Sequence, residues 1–336
     1  MPVKISTGLP NCREGRQNPV GSVDLEGMLR VARAADELGY HALWPNEFQT
    51  TFPTVAARYA APPNYYDTIV TMAYVAQATT RIRIAPSTIV LPLHEPILLS
   101  RQLATLDVFS GGRVTLGIGL GGDEFRRLRR GVTTPSRGQM MDEYLQALRV
   151  LWTERRATFE GHHVSFADIE SYPKPLQNPL PILMAGHADG VFRRLAMYGQ
   201  GWIDSSNVPD ELRRYVDRLR GYAAEAGRGD AAFEVSRQFY VSIAETEEAA
   251  KANHRAALPA ATRPPPAPAP APVAAAPPGA PQERDLIGTP DRIVSRLKAY
   301  EVAGVTELVA IFYYPDAAAA ERQLRLFAKE VMPAFS

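Results

Sequence analysis

Residues 81–122 read RIRIAPSTIVLPLHEPILLSRQLATLDVFSGGRVTLGIGLGG. A β-branched run (Ile82, Ile84, Thr88, Ile89, Val90) predicts a strand, and Pro92 and Pro96 bound the turn after it. Ile97, Leu98, Leu103, Leu106 and Phe109 recur with helical spacing, and Ser110-Gly111-Gly112 ends that helix. Residues 114–118 form a second short apolar strand, which empties into Gly117, Gly119, Gly121 and Gly122. Strand, helix and strand in this order make a βαβ unit. Its glycine-rich exit is an open crevice at the carboxyl end of a strand, where α/β folds place their chemistry.

The same alternation extends in both directions. Strands are predicted at 3–9, 41–44, 180–184, 202–204, 234–243 and 307–311. Helices are predicted at 25–38, 68–78, 142–152, 191–198, 209–226, 245–257, 290–303 and 316–331, with Asp67 capping the second. Residues 157–166 alternate like a hairpin. About eight strand–helix pairs in a chain of 336 residues predict an α/β fold of the (β/α)8 TIM-barrel type with insertions, a single domain over 1–336. Residues 259–283 are a proline–alanine tract that can join neither helix nor ladder, because proline fixes φ and lacks the N–H donor. That tract reads as an insertion within the barrel, inside its seventh β/α unit.

Charge is balanced, 37 Lys and Arg against 36 Asp and Glu, so no global field favours nucleic acid or a membrane surface. No run reaches the roughly 18–20 apolar residues of a membrane span. The first residues lack a secretory pattern, and Cys12, the single cysteine, permits no internal disulfide, so the expected location is cytoplasmic. A local basic cluster, Arg126, Arg127, Arg129 and Arg130, reads either as a solvated helix face or as a site for an anionic tail. His94 reads as a turn histidine, and His162 and His163 lack the further ligands a metal site needs.

Segments 81–122, Arg137-Gly138 with Met141-Asp142-Glu143-Tyr144-Leu145, Pro173-Lys174-Pro175 with Gln177, and Ile287-Gly288-Thr289-Pro290 with Ala303-Gly304-Val305 resemble the bacterial luciferase-like family of flavin and deazaflavin oxidoreductases. The resemblance covers nearly the whole chain apart from the Pro/Ala tract. It implies a TIM barrel, commonly dimeric, that binds reduced FMN or coenzyme F420 at the carboxyl ends of its strands. Such proteins activate O2 on reduced flavin or move hydride on F420.

Candidate residues follow from that resemblance. The strand-to-helix turn at 184–190 offers backbone N–H groups to a cofactor phosphate, with Ala185, Gly186, His187 and Gly190 as its contacts. Pro86-Ser87-Thr88 falls where relatives carry a strand bulge, often with a cis peptide, so Ser87 and Thr88 are expected to line the cofactor ring. Gly117, Gly119, Leu120 and Gly121 are expected on its border. Where relatives often place a histidine after the second strand, Trp44-Pro45-Asn46-Glu47-Phe48 has Phe48. Glu47, Asn46 or Gln49 is then expected to handle protons or hold substrate. Gln238 and Tyr240 stand near the position of an arginine and a histidine in some monooxygenases, and Tyr240 could donate to an anion or carbonyl. Arg58, Tyr59, Tyr65 and Tyr66 suggest an aromatic substrate wall.

The favoured expectation is a reduced-FMN-dependent monooxygenase acting with O2 on a small-molecule substrate, supplied with flavin by a separate reductase and assembled as a homodimer. A coenzyme F420-dependent dehydrogenase or reductase is the alternative. A non-catalytic flavin-binding protein on the same barrel is the third reading.

Overall fold

The computed structural model describes residues 2–51, 53–129, 134–258 and 285–336. The Pro/Ala tract expected at 259–283 and Arg130 of the basic cluster lie outside the described residues, as does the side chain of Arg127.

The strands are β1 (Lys4–Gly8), β2 (Ala42–Trp44), β3 (Arg83–Ile84), β4 (Ile89–Val90), β5 (Leu116–Gly119), β6 (Ala157–Glu160), β7 (Ser165–Ile169), β8 (Ile182–Ala185), β9 (Gly201–Asp204), β10 (Glu234–Ile243), β11 (Asp285–Gly288) and β12 (Glu307–Phe312). All but β6 and β7 form one parallel sheet in the order β3-β2-β1-β12-β10-β9-β8-β5-β4, with β11 on the side of β10. β3 and β4 are two halves of one interrupted strand. A parallel bridge from Ile84 to Val114 joins the first half to the chain entering β5, and β4 pairs with β5 directly. The sheet thereby closes on itself as a (β/α)8 barrel, with eight wall positions when β3 and β4 count as one and β11 is set aside.

Local chemistry explains the helices that alternate with these strands. Asp24 accepts from Gly27 N, Asp67 from Val70 N, and Asp316 from Ala319 N, each satisfying a backbone donor that a helix start leaves open. Glu95 does the same for Ile97 and Leu98 ahead of the helix Pro96–Ser110, which Gly111 ends in the left-handed conformation.

The break between β3 and β4 falls at the bulge expected at 86–88. Other features depart from the sequence expectation. The helix expected from 142 begins eight residues earlier, as Thr134–Thr153. β11, unpredicted, pairs with the last four residues of β10 at the barrel mouth.

Strand periodicity sorts the core into two parts. Ala42, Trp44, Ala85, Leu183, Ile203, Val309 and Ile311 fill the barrel, whereas the larger cluster packs between sheet and helices. β10 and β12 run in register, pairing Ser236 with Glu307, Gln238 with Val309 and Tyr240 with Ile311. From the amino end to the mouth, the interior therefore passes from a polar layer at Ser236 and Glu307 to Gln238 and then Tyr240.

Candidate active site

At the carboxyl ends of the strands the barrel opens into a cavity of about 340 Å³. Of the residues expected from the sequence, Asn46, Ser87, Thr88, Ala185, Gly186, His187, Gln238 and Tyr240 line it. They come from four separate wall positions, which only the closed barrel brings together.

The Ser87–Thr88 peptide is cis. Both of its flanks are tied to the exit of β2. Ser87 N donates to Pro45 O at 2.8 Å, and Asn46 Nδ2 donates to Ser87 O at 2.8 Å. Gln238 Nε2 reaches across the mouth to donate to Ser87 Oγ. Asn46 is held in turn by Asn11, whose side chain accepts from Asn46 N and donates to Asn46 O. After these bonds, Asn46 Oδ1 is buried and has no partner among the described residues. A buried amide oxygen without a donor is costly unless a ligand supplies one.

The glycines of β5 serve the bulge itself. A Cβ on Gly117 would overlap the carbonyl oxygen of Pro86, and one on Gly119 would stand 2.7 Å from Thr88 Oγ1. Their missing side chains leave room for the neighbouring backbone, so neither Gly119 nor Leu120 lines the cavity; Leu120 packs against the outer core instead.

The turn after β8 is built differently. Gly186 has φ 124°, and Trp202 Nε1 donates to its carbonyl at 2.8 Å. His187 Nε2 lies 3.0 Å from Asp204 Oδ1 and 2.8 Å from Asn207 Nδ2. Asp204 is fully buried and pairs with Arg237 Nε at 2.9 Å, so a rigid network behind the wall fixes the imidazole. The helix Asp189–Tyr198 begins here without a side-chain cap. Asp189 is drawn to the neighbouring helix Pro209–Glu225, where Tyr222 Oη at 2.5 Å and Arg218 donate to it. The Tyr222 hydrogen bond, ahead of the Arg218 charge, holds this carboxyl below its ordinary range. Gly190 sits in the first turn, just outside the lining residues. The open backbone donors and the dipole of this helix start suit an anion.

Glu47 does not line the cavity. Its Oε2 accepts from Val90 N at 2.6 Å, and its Oε1 lies 2.7 Å from His94 Nε2. The carboxylate fastens the end of β2 to β4 and the following turn, so its geometry is that of a positioning residue. His94, read from sequence as a turn histidine, is its partner. Phe48, at the position of the expected histidine, lines the cavity and packs against Tyr65 with ring centroids 5.5 Å apart. Tyr59 and Tyr66 donate to Gly15 O and Val23 O and stitch their loop to the segment after β1; neither they nor Tyr65 and Arg58 line this cavity. On β10, Gln238 and Tyr240 face inward and Arg237 outward, as the period of two requires.

Sequence reading missed the segment after β1. Cys12, Arg13, Arg16 and Gln17 all line the mouth. Arg13 is 4% exposed, its Nε donates to Leu9 O at 3.1 Å, and its Nη2 is buried with no partner among the described residues. Desolvation pulls its guanidinium below the ordinary arginine range. Among the described residues, no three His, Cys, Asp or Glu side chains group to hold a metal ion, and no helix is long and apolar enough to cross a membrane.

The sequence signature of the luciferase-like monooxygenase family matches residues 4–307. The chain belongs to that family. This luciferase-like oxidoreductase is 32% identical over 210 residues to an uncharacterised protein of Mycobacterium tuberculosis, covering 59% of this chain and 74% of the relative. It is 28% identical over 340 residues to the oxygenase component of the flavin-dependent trigonelline monooxygenase of Acinetobacter baylyi, covering 92% of this chain and 89% of that one. Its fold is shared with an F420-dependent secondary alcohol dehydrogenase solved with an F420–acetone adduct, at a TM-score of 0.77 and 17% identity over the full length of both chains. Family members use flavin or F420.

Proposed function

We propose that this luciferase-like oxidoreductase is a reduced-FMN-dependent monooxygenase acting on a small organic molecule. The observation that carries the reading is the cavity bounded by the Ser87–Thr88 peptide on one wall and the 185–187 turn on another, with the buried Asn46 Oδ1 left without a donor among the described residues. These residues fit a planar ring that carries an N–H, attached to a phosphate. When bound, reduced flavin supplies the electron pair that activates O2, one oxygen entering the substrate and the other leaving as water.

The chain's own groups have defined tasks in this reading. Ser87, Thr88, Asn46 and Gln238 hold the ring. Ala185, Gly186, His187 and Gly190 hold the phosphate through the open helix start. Phe48 and Ile203 exclude water, which strengthens every polar contact in the cavity. Tyr240 donates to the substrate oxygen, and Glu47 keeps the wall beside Asn46 in place. A separate reductase delivers the flavin, the location is cytoplasmic, and the assembly is a homodimer.

A second reading is hydride transfer on coenzyme F420. Arg126 and Arg129 favour it, because both are exposed just beyond the glycine exit of β5, where an acidic cofactor tail would leave the mouth. Anaerobic fluorescence titration with FMN, reduced FMN and F420 separates the two. Saturable binding of reduced FMN, weaker or absent for F420, is the expected result. Binding of F420 alone replaces the first reading with the second, and binding of none removes both.

A further inference from the structure

We propose that Arg13 is the subsite for a carboxylate on the substrate, and that this oxidoreductase therefore acts on a small organic acid. The inference rests on the reading of the 185–190 turn as the phosphate site and of Ser87–Thr88 as the ring wall.

Arg13 is a buried cation that lines the cavity and makes no ion pair among the described residues. The nearest carboxylate in sequence, Glu14, is used elsewhere. Its Oε1 accepts from Gly21 N and Val23 N at 3.0 Å each, and its Oε2 from Asn64 N at 2.8 Å. Arg237, fully buried at this end of the barrel, has Asp204 as its counter-ion. A buried charge without a partner is among the costlier things a fold can carry. The cost is offset when an anion arrives, and a guanidinium matches a carboxylate through paired N–H donors.

Position separates this anion from the cofactor's. β1 holds the first wall position and β8 the fifth, on opposite sides of an eight-position barrel. Arg13 follows β1, whereas the phosphate turn follows β8. One phosphate on the turn cannot also neutralise Arg13. Arg16, half-buried and 5.2 Å from the centroid of the Phe48 ring, adds a second positive charge on the Arg13 side. Among the described residues, no aspartate or glutamate lines the cavity. The wall facing the phosphate turn is thus cationic, and Phe48 gives it an apolar neighbour for the rest of an organic acid.

The test compares acetate and benzoate with neutral benzamide by calorimetric titration of the full chain, at constant ionic strength, on the wild type and on Arg13→Gln. Reduced-FMN and F420 affinities are measured in parallel on both proteins. Benzoate, or acetate more weakly, is expected to bind the wild type and benzamide not to. Arg13→Gln should weaken the carboxylate about ten- to a hundredfold, the range for a hydrogen bond to a charged group, and leave cofactor affinity unchanged. It should also melt no lower than wild type, since it removes a buried charge that lacks a partner. Equal binding of benzamide, no saturable binding of either carboxylate, or unaltered carboxylate binding by Arg13→Gln overturns the proposal. An equal loss of cofactor affinity assigns Arg13 to the cofactor and overturns it too. Failure of the wild type to bind any cofactor is a separate outcome, which strikes the flavin reading alone.

Discussion

Glu307 sits inside the barrel with Ser6, Trp44 and Ser236 hydrogen-bonded to its carboxyl group; Ser236 Oγ is 2.5 Å away and Trp44 Nε1 3.1 Å. Burial, and then the negative charge of Glu234, pushes this carboxyl up to about 8. Lys4 keeps Glu234 itself below the usual carboxylate range, so Glu234 is ionised in the folded and unfolded chain alike above that range. Between 4.5 and about 8, the folded protein thus binds a proton at Glu307 that the unfolded chain has released. Stability from this group is complete below 4.5 and is lost as pH rises to about 8, at a slope of up to about 1.4 kcal/mol per pH unit. Glu307→Gln mimics the protonated form and should flatten that slope. Urea unfolding at pH 5, 6.5 and 8 should show the variant gaining on the wild type as pH rises. A difference that is constant across pH would place the proton elsewhere. Single residues of this kind are poorly legible in sequence. Glu307 reads as an ordinary charged strand residue, Arg13 as a loop arginine and His94 as a turn histidine. Their meaning comes from burial and from partners far away in the chain, as with Glu47 and His94. Phe48 was legible only as the absence of an expected histidine.

The β5 segment shows what an element can disclose and what it cannot. Gly117 and Gly119 read in the sequence as an open crevice, but the space they leave is not open. It is filled by the bulge of the neighbouring strand at Pro86 and Thr88. A run of glycines states that something approaches closely and leaves unsaid whether that is ligand or backbone. Gly117→Ala should therefore displace the bulge, costing about 1–3 kcal/mol or more as overpacking and loosening Ser87 and Thr88. Gly122→Ala, where nothing lies within 4 Å of the added methyl, is the control. Denaturant midpoints of the two variants should differ clearly, and equal midpoints would show that the bulge yields at no cost. Strand and helix alternation was readable because strands buried on both faces read as short apolar runs between amphipathic helical segments. β11 was not: its four residues follow a long proline-rich tract and carry no periodicity of their own.

At the scale of the whole molecule, two neighbouring helices of the outer wall expose large apolar side chains. The helix Thr68–Ala78 has no charged residue, although Val70 is 69% and Tyr74 43% exposed. It packs beside the helix Pro96–Ser110, on which Leu98 is 54% and Phe109 79% exposed. Leu98 and Phe109 are eleven residues apart, which is close to three full turns, so they share one stripe of that helix. Exposed Val70, Tyr74, Leu98 and Phe109 on two helices packed side by side mark a candidate interface. A second copy of this chain, related by a two-fold axis, covers it most economically, because one self-complementary patch then serves both subunits. The wild type is expected to sediment as a dimer at micromolar concentration. Val70→Glu combined with Phe109→Glu should give a monomer, since charges buried in such a contact lose their water without gaining partners. Both side chains project from the barrel surface, so the variant monomer should keep its helical circular dichroism. A wild type that sediments as a monomer, or a double variant that stays dimeric, would remove this face as the dimer contact. The cavity lies at the carboxyl end of the strands and these helices on the barrel's outer wall, so each subunit should retain a complete cofactor site when the pair separates.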